Sequence, residues 1–203
     1  VSKHALKNIY LSIGSADFKS QASRGIVAVS RADSEIHKDD VERAIEASQA
    51  LKLPSNRMIV HAVTKSFVVD DIADVSDPLG MIGNRLEVTS LIIDALVPSV
   101  KNLTRCVESA GGSVSGLIFN PLAVSRALLS KNQRDLGVAV LDIGFGKTSL
   151  SVYEENKLLH VAVFPVGSGN ATNDLAIGLR TSIAAAENIK LTLGSVIARE
   201  VSA

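Results

Sequence analysis

The sequence predicts an α/β fold in two unequal halves, and three observations carry that reading. Short β-branched or apolar runs bounded by Gly, Pro or polar clusters recur along the whole chain and read as strands. Two amphipathic stretches with helical spacing separate the strands of the first half, while the second half reads strand, strand, strand, helix, helix. Apolar residues make up 46% of 203 positions, so a packed core is available and global disorder is excluded. The length suits one large or two small domains.

Charge and cysteine usage exclude several function classes. Lys+Arg and Asp+Glu are both 21, so there is no basic excess and no Lys/Arg block for nucleic acid. Aromatic residues are 3% and Trp is absent, which weakens any base-stacking platform. The single cysteine, Cys106, rules out a disulfide within the chain and a multi-cysteine metal site, and fits a reducing compartment. Its apolar neighbours predict a small buried hydrophobe. No run of about 18 apolar residues and no signal peptide is visible. The start at Val1 suggests a fragment. His4, His37, His61 and His160 show no close metal-ligand spacing and are expected to be structural or surface residues.

The first half is taken in order. NIYLSIG (8–14) reads as a strand and the polar stretch 15–23 as a loop; GIVAVS (25–30) reads as a second strand. Residues 39–53 have helical spacing, an acidic Asp39-Asp40 start and a stop at Pro54. Residues 57–70 read as a long strand, 71–84 as a Pro/Gly-rich loop, and 85–95 as a strand with a bulge near Ser90. Residues 99–110 form an amphipathic helix with Val100, Leu103 and Val107 on one face, ended by Gly111-Gly112. A strand at 114–119 and a short helix at 121–129 follow, with Pro121 at an early helical position.

The second half is organised around GVAVLDIGFGKTSLSVY (137–153). Val138–Leu141 drives into Asp142, then into a Gly144-Phe145-Gly146 turn, then through Lys147 and Thr148 into a second alternating run. Glycines at a strand end let a ligand approach bare amides, and a neighbouring carboxylate can hold a metal ion through water. The turn is therefore either a phosphate cradle with Mg²⁺ or a plain hairpin whose glycines serve only the turn. A third strand, 158–166, ends in Gly167-Ser168-Gly169, which opens a helix from Asn170 to Gly178. Such an opening offers N–H groups to phosphate. Residues 182–193 form the last helix, where Glu187 and Lys190 at i, i+3 share a face. They can serve ribose and base, or form a surface ion pair.

Read in this order, strand–DxGxGxT–strand–strand–PVGxxxxT–helix–AExxK resembles the second nucleotide-binding half of the actin-like ATPases. Upstream segments narrow the resemblance. Ser20-Gln21, Ser23-Arg24-Gly25-Ile26-Val27, Met58-Ile59-Val60-His61-Ala62-Val63, Asp77-Pro78-Leu79-Gly80-Met81, Arg85-Leu86-Glu87, Lys101-Asn102-Leu103, Asn173-Asp174 and Gly178-Leu179-Arg180-Thr181 are similar to the FtsA family of bacterial cell-division proteins, in collinear order.

The resemblance implies an actin-like, ribonuclease H-like lobe fragment plus a smaller α+β subdomain 1C of the SHS2 type. The implied boundaries are 1–14 for the end of a 1A strand, 15–114 for 1C, 115–130 for the return segment of 1A, and 131–203 for part of 2A. It implies an ATP-dependent filament scaffold that tethers FtsZ to the cytoplasmic membrane, self-associates through 1C and recruits later divisome proteins. The location implied is cytoplasmic, peripheral at the inner membrane face and at the septum, with membrane contact through a C-terminal helix absent here. ATP with Mg would be held by Asp142, Gly144, Gly146, Lys147, Thr148, Gly167, Gly169, Glu187 and Lys190, with Asp142 reaching the metal through water. The most to expect as an enzyme is a slow ATPase in the intact protein, with weak or no ATP binding by this chain alone.

Three departures bear on that site. Phe145 stands where the family usually has a middle glycine and Lys147 where it has a threonine; Ser168 replaces a glycine after Pro165-Val166-Gly167. The competing readings are a pilus- or secretion-type actin-like scaffold and a sugar-kinase-like phosphotransferase of the same superfamily.

Overall fold

The computed structural model describes residues 5–195 and Ile197. Contacts divide the chain into two units. One comprises the residues up to Leu141 together with Ser149–Val163; the other comprises Asp142–Thr148 and the residues from Phe164 on.

In the first unit, β1 (Ile9–Ile13) pairs in parallel with β6 (Val114–Phe119), and the chain between them folds back as an antiparallel sheet. That sheet has the order β2-β5-β3-β4, with β2 at Lys19–Ala28, β3 at Arg57–Val69, β4 at Ile72–Val75 and β5 at Arg85–Leu96. β5 is central and its two faces alternate with period two. Leu86 and Val88 join a core with Val29, Ile36, Ala44, Phe67 and Val69. Leu91, Ile93 and Ala95 join a second core with Ile13, Phe18, Val100 and Phe119, where the rings of Phe18 and Phe119 stack at 4.5 Å. The Arg57 guanidinium and the Asp94 carboxylate pair within this sheet, and both side chains are almost fully buried.

Helix α1 (Lys38–Gln49) lies on the sheet at Gly25, where a Cβ would meet the Ala44 carbonyl at 2.1 Å and the Ser48 amide at 2.5 Å. Gly25 is thus required by a close helix–strand approach. The Asp40 carboxylate accepts from the His37 N–H at 3.0 Å and closes the helix start. Burial pushes the Asp40 carboxyl up, but that hydrogen bond together with Arg43 and Arg31 leaves it below its ordinary value. Helix α2 (Val97–Ser109) begins with Pro98 in its first turn and is followed by Gly111 at φ 86°. Helices α3 (Asn120–Leu128) and α4 (Lys131–Leu136) follow β6. A last sheet has the order β7-β8-β9, with β7 at Val138–Ile143, β8 at Thr148–Glu154 and β9 at Lys157–Phe164.

Several expectations are corrected. β2 begins at Lys19, inside the stretch read as a loop, because its backbone pairs in unbroken register with β5 from Lys19↔Asp94 to Ala28↔Arg85. Its polar side chains fit an edge strand with much of its surface in solvent. The loop expected over 71–84 contains β4, which turns back onto β3 through Asp70 at φ 51°. The irregularity expected near Ser90 lies on the facing strand, where Lys65 is the extra residue between Thr64↔Ser90 and Ser66↔Thr89. α1 ends at Gln49, earlier than expected. Cys106 is exposed, not buried, because α2 turns Val100, Thr104 and Val107 inward and leaves Leu103 and Cys106 on its outer side. Helix α4 was not anticipated; Ser130 caps it, its hydroxyl accepting from the Gln133 N–H at 3.3 Å.

Candidate functional site

Every candidate nucleotide-binding residue lies in the second unit. The hairpin turn is closed by the Gly144 amide donating to the Lys147 carbonyl at 2.9 Å. The segment after β9 then packs directly onto that turn. The Ser168 amide donates to the Gly144 carbonyl at 2.9 Å and the Gly169 amide to the Phe145 carbonyl at 2.7 Å. The Thr148 hydroxyl donates to the Val166 carbonyl at 2.7 Å. Two glycine-bearing loops, twenty-odd residues apart in sequence, thus form one layer.

Gly167 is required by this approach. A Cβ there would meet the Gly144 oxygen at 2.4 Å and the Phe145 oxygen at 2.6 Å, both rigid backbone atoms. A Cβ on Gly169 would meet the Phe145 ring at 2.8 Å and its carbonyl at 2.9 Å. The ring of Phe145 thus lies against the start of α5 (Ser168–Gly178) while remaining 70% exposed.

The start of α5 differs from an open phosphate-binding terminus. The Gly167 amide donates to Asn170 Oδ1 at 2.9 Å and the Asn170 amide to the Gly167 carbonyl at 3.0 Å. With Ser168 and Gly169 engaged by the hairpin, all four amides from 167 to 170 are committed inside the protein. The hairpin's own amides at Phe145 and Gly146 have no acceptor among the described residues, and open space surrounds Gly146. The Lys147 side chain and the half-buried Asp142 carboxylate flank them in sequence.

Glu187 and Lys190, on α6 (Ile183–Leu193), meet as an ion pair at 2.7 Å. The pair is anchored to α5, not loose on the surface. Lys190 Nζ donates to Thr172 Oγ1 at 2.8 Å and to the Ser168 carbonyl at 3.2 Å, and the Thr172 hydroxyl donates to Glu187 Oε2. Hydrogen bonds from Lys190 and then Thr172 hold the Glu187 carboxyl below its ordinary value. The stabilisation this gives is present above the ordinary Glu range and is lost as pH falls through the lowered value. Thr172 is 1% exposed; it stands in the PVGxxxxT pattern but was not among the candidate nucleotide-binding residues. The threonine of that pattern was the available signal.

Elsewhere, Asp33, Glu35 and His37 bring one ligand atom each within 4.8 Å of one another. All three are exposed, and they are remote in sequence from the hairpin. No helix among the described residues is long and apolar enough to cross a membrane.

Comparison with known proteins agrees with this layout. Residues 15–94 match the SHS2 domain inserted in FTSA, and residues 139–203 match the family Cell division protein FtsA. The chain is 41% identical to the Cell division protein FtsA of Bacillus subtilis (strain 168), over 90% of the chain and 41% of that relative. It is 32% identical to the Cell division protein FtsA of Pseudomonas aeruginosa, over 96% of the chain and 46% of that relative. The chain belongs to the FtsA family. It spans less than half the length of these two relatives. Among solved structures it is similar to a chain of a PilM-PilN type IV pilus biogenesis complex, with a TM-score of 0.59 and 21% identity over 86% of this chain and 48% of that one. The fold class is accordingly that of an actin-like lobe fragment joined to an SHS2-type subdomain. Against the pilus-type alternative, the sequence matches fall on FtsA.

Proposed function

We propose that this chain is the part of an FtsA-type division scaffold that carries the 1C interaction module and one half of a Mg-ATP site. The observation that carries the nucleotide half is the pairing of two glycine loops. It spends the Ser168 and Gly169 amides on the hairpin carbonyls and leaves the Phe145 and Gly146 amides and the Lys147 ammonium as the donor set, with the Asp142 carboxylate next to them in sequence. Two amides and an ammonium suit phosphate oxygens, and a carboxylate suits the water shell of Mg²⁺. The bound nucleotide supplies the free energy of an assembly switch. The chain's own residues bind and orient it. Gly144 and Gly167 let the loops close, and Thr148 pins the Val166 carbonyl. Glu187 and Lys190 fix α6 against α5 and leave Glu187 Oε1 for a ribose hydroxyl. Gly169 supports the layer by donating its amide to the Phe145 carbonyl, which leaves that amide no proton to give a phosphate.

On this reading the intact protein polymerises with ATP, tethers FtsZ filaments at the inner face of the cytoplasmic membrane and recruits later divisome proteins. Self-association runs through 1C, and hydrolysis is slow. The test is Mg-ATP-dependent sedimentation of the full-length protein, with binding of an FtsZ tail peptide as a second readout. ATP-dependent pelleting that fails on Gly146→Val, with peptide binding retained, supports the proposal. Pelleting indifferent to ATP and to that substitution refutes the nucleotide switch. Absence of peptide binding favours the pilus-type reading. For the chain alone, calorimetry is expected to show weak or no Mg-ATP binding, and micromolar affinity would overturn the half-site assignment.

A further inference from the structure

We propose that the first unit carries a second ligand site, separate from the nucleotide residues, for a small organic phosphate with an apolar body. A cavity of about 510 Å³ opens between β3, α3, α4 and the β8–β9 hairpin. That volume falls in the range of small-molecule pockets, roughly 300–1,000 Å³. It is lined by Leu122, Leu129 and Leu158 and by three cations, Arg126, Arg134 and Lys157, with no carboxylate among the lining residues.

The charges are unequal in their compensation. Lys157 pairs with Glu155 at 3.1 Å and Asp74 at 3.8 Å. Among the described residues, no carboxylate lies within the 4.0 Å ion-pair distance of Arg126 or Arg134. Two uncompensated guanidinium groups on one concave, partly apolar surface focus positive potential where a phosphate fits them as a fork.

The walls are also built. The Ser125 and Ser151 hydroxyls hydrogen-bond at 2.7 Å in a buried position and tie α3 to β8. The Asn156 amide donates to the Arg134 carbonyl at 3.0 Å, and Asn156 Nδ2 donates to Asp135 Oδ1 at 2.8 Å, so α4 is fixed to the hairpin turn. That turn holds Glu155 and Asn156 at φ 50° and 59°, the primed geometry of a two-residue hairpin. Tyr153 and Leu158, which also line the cavity, belong to the buried core. Apolar wall and cationic groups together select a phosphate ester over free phosphate.

The test is calorimetric titration of the chain with monomeric dihexanoyl phosphatidic acid, phenyl phosphate and inorganic phosphate. At least one of the two esters is expected to bind about tenfold or more tightly than inorganic phosphate, a difference of about 1.4 kcal/mol. Which ester binds better assigns a lipid or a soluble source. The double variant Arg126→Gln/Arg134→Gln is expected to lose that binding with an unchanged melting temperature, and Lys101→Gln on α2 to retain it. No ester binding, equal binding of inorganic phosphate, or unchanged binding by the double variant overturns the proposal.

Discussion

The amide of Gly169 donates to the carbonyl of Phe145 at 2.7 Å, so the bulky residue in the glycine turn is held by its backbone while its ring stays outside. Phe145 therefore does not fill the space between the loops. The turn keeps its closed geometry without the middle glycine, since the side chain turns away to rest on the start of α5.

This arrangement separates two glycines that the sequence treats alike. Gly167→Ala drives a Cβ onto two carbonyl oxygens of the hairpin and is expected to cost about 1–3 kcal/mol as overpacking. Gly146→Ala meets open space at a residue whose φ is not in the left-handed region, and is expected to stay within about 0.5 kcal/mol of wild type. Urea midpoints of the two variants decide it. Equal midpoints would mean that the loops are not packed together in solution.

Much of the fold was legible because it rests on local periodicity. The stretches that became β3, β5 and α5 were placed to within a few residues, since alternation and helical spacing survive in isolation. β2 was not, because Lys19–Arg24 is polar and is made a strand only by pairing with β5. The glycines at 144, 146, 167 and 169 were visible as signals, but their division of labour was not. Which amides are committed depends on a contact between loops about twenty residues apart, and no local pattern encodes it. Thr172 was visible in the PVGxxxxT pattern, but its role between Glu187 and Lys190 appears only when α6 lies beside α5.

The buried Arg57–Asp94 pair gives a second prediction. Arg57 also donates to the Asp17 and Asp94 carbonyls, whereas Asp94 Oδ2 is buried without a hydrogen-bond partner. Arg57→Met leaves an uncompensated buried carboxylate and is expected to cost about 3–5 kcal/mol. Arg57→Met with Asp94→Leu removes both charges and is expected to recover a large part of that loss. Thermal denaturation of the single and double variants measures the coupling. A double variant no more stable than Arg57→Met would show that the ion pair is not the term at stake.

His61 gives the pH prediction. Its Nε2 accepts the backbone N–H of Phe119 at 2.9 Å, so the native ring is neutral at that nitrogen. Burial holds its pKa below the ordinary 6.5. Above that value the imidazole is neutral in both folded and unfolded chains, and its contribution is fully present. As pH falls below it, the unfolded chain takes up a proton that the native chain resists. Stability therefore declines, and the decline levels off once pH is below the native value. His61→Leu leaves the Phe119 amide without its acceptor and is expected to cost about 1–3 kcal/mol at neutral pH. It should also remove this part of the pH dependence. The gap between wild type and His61→Leu should thus narrow from about pH 7.5 towards pH 5. Denaturant unfolding at matched ionic strength across that window measures it, and a gap that stays constant or widens on acidification would contradict a neutral native His61.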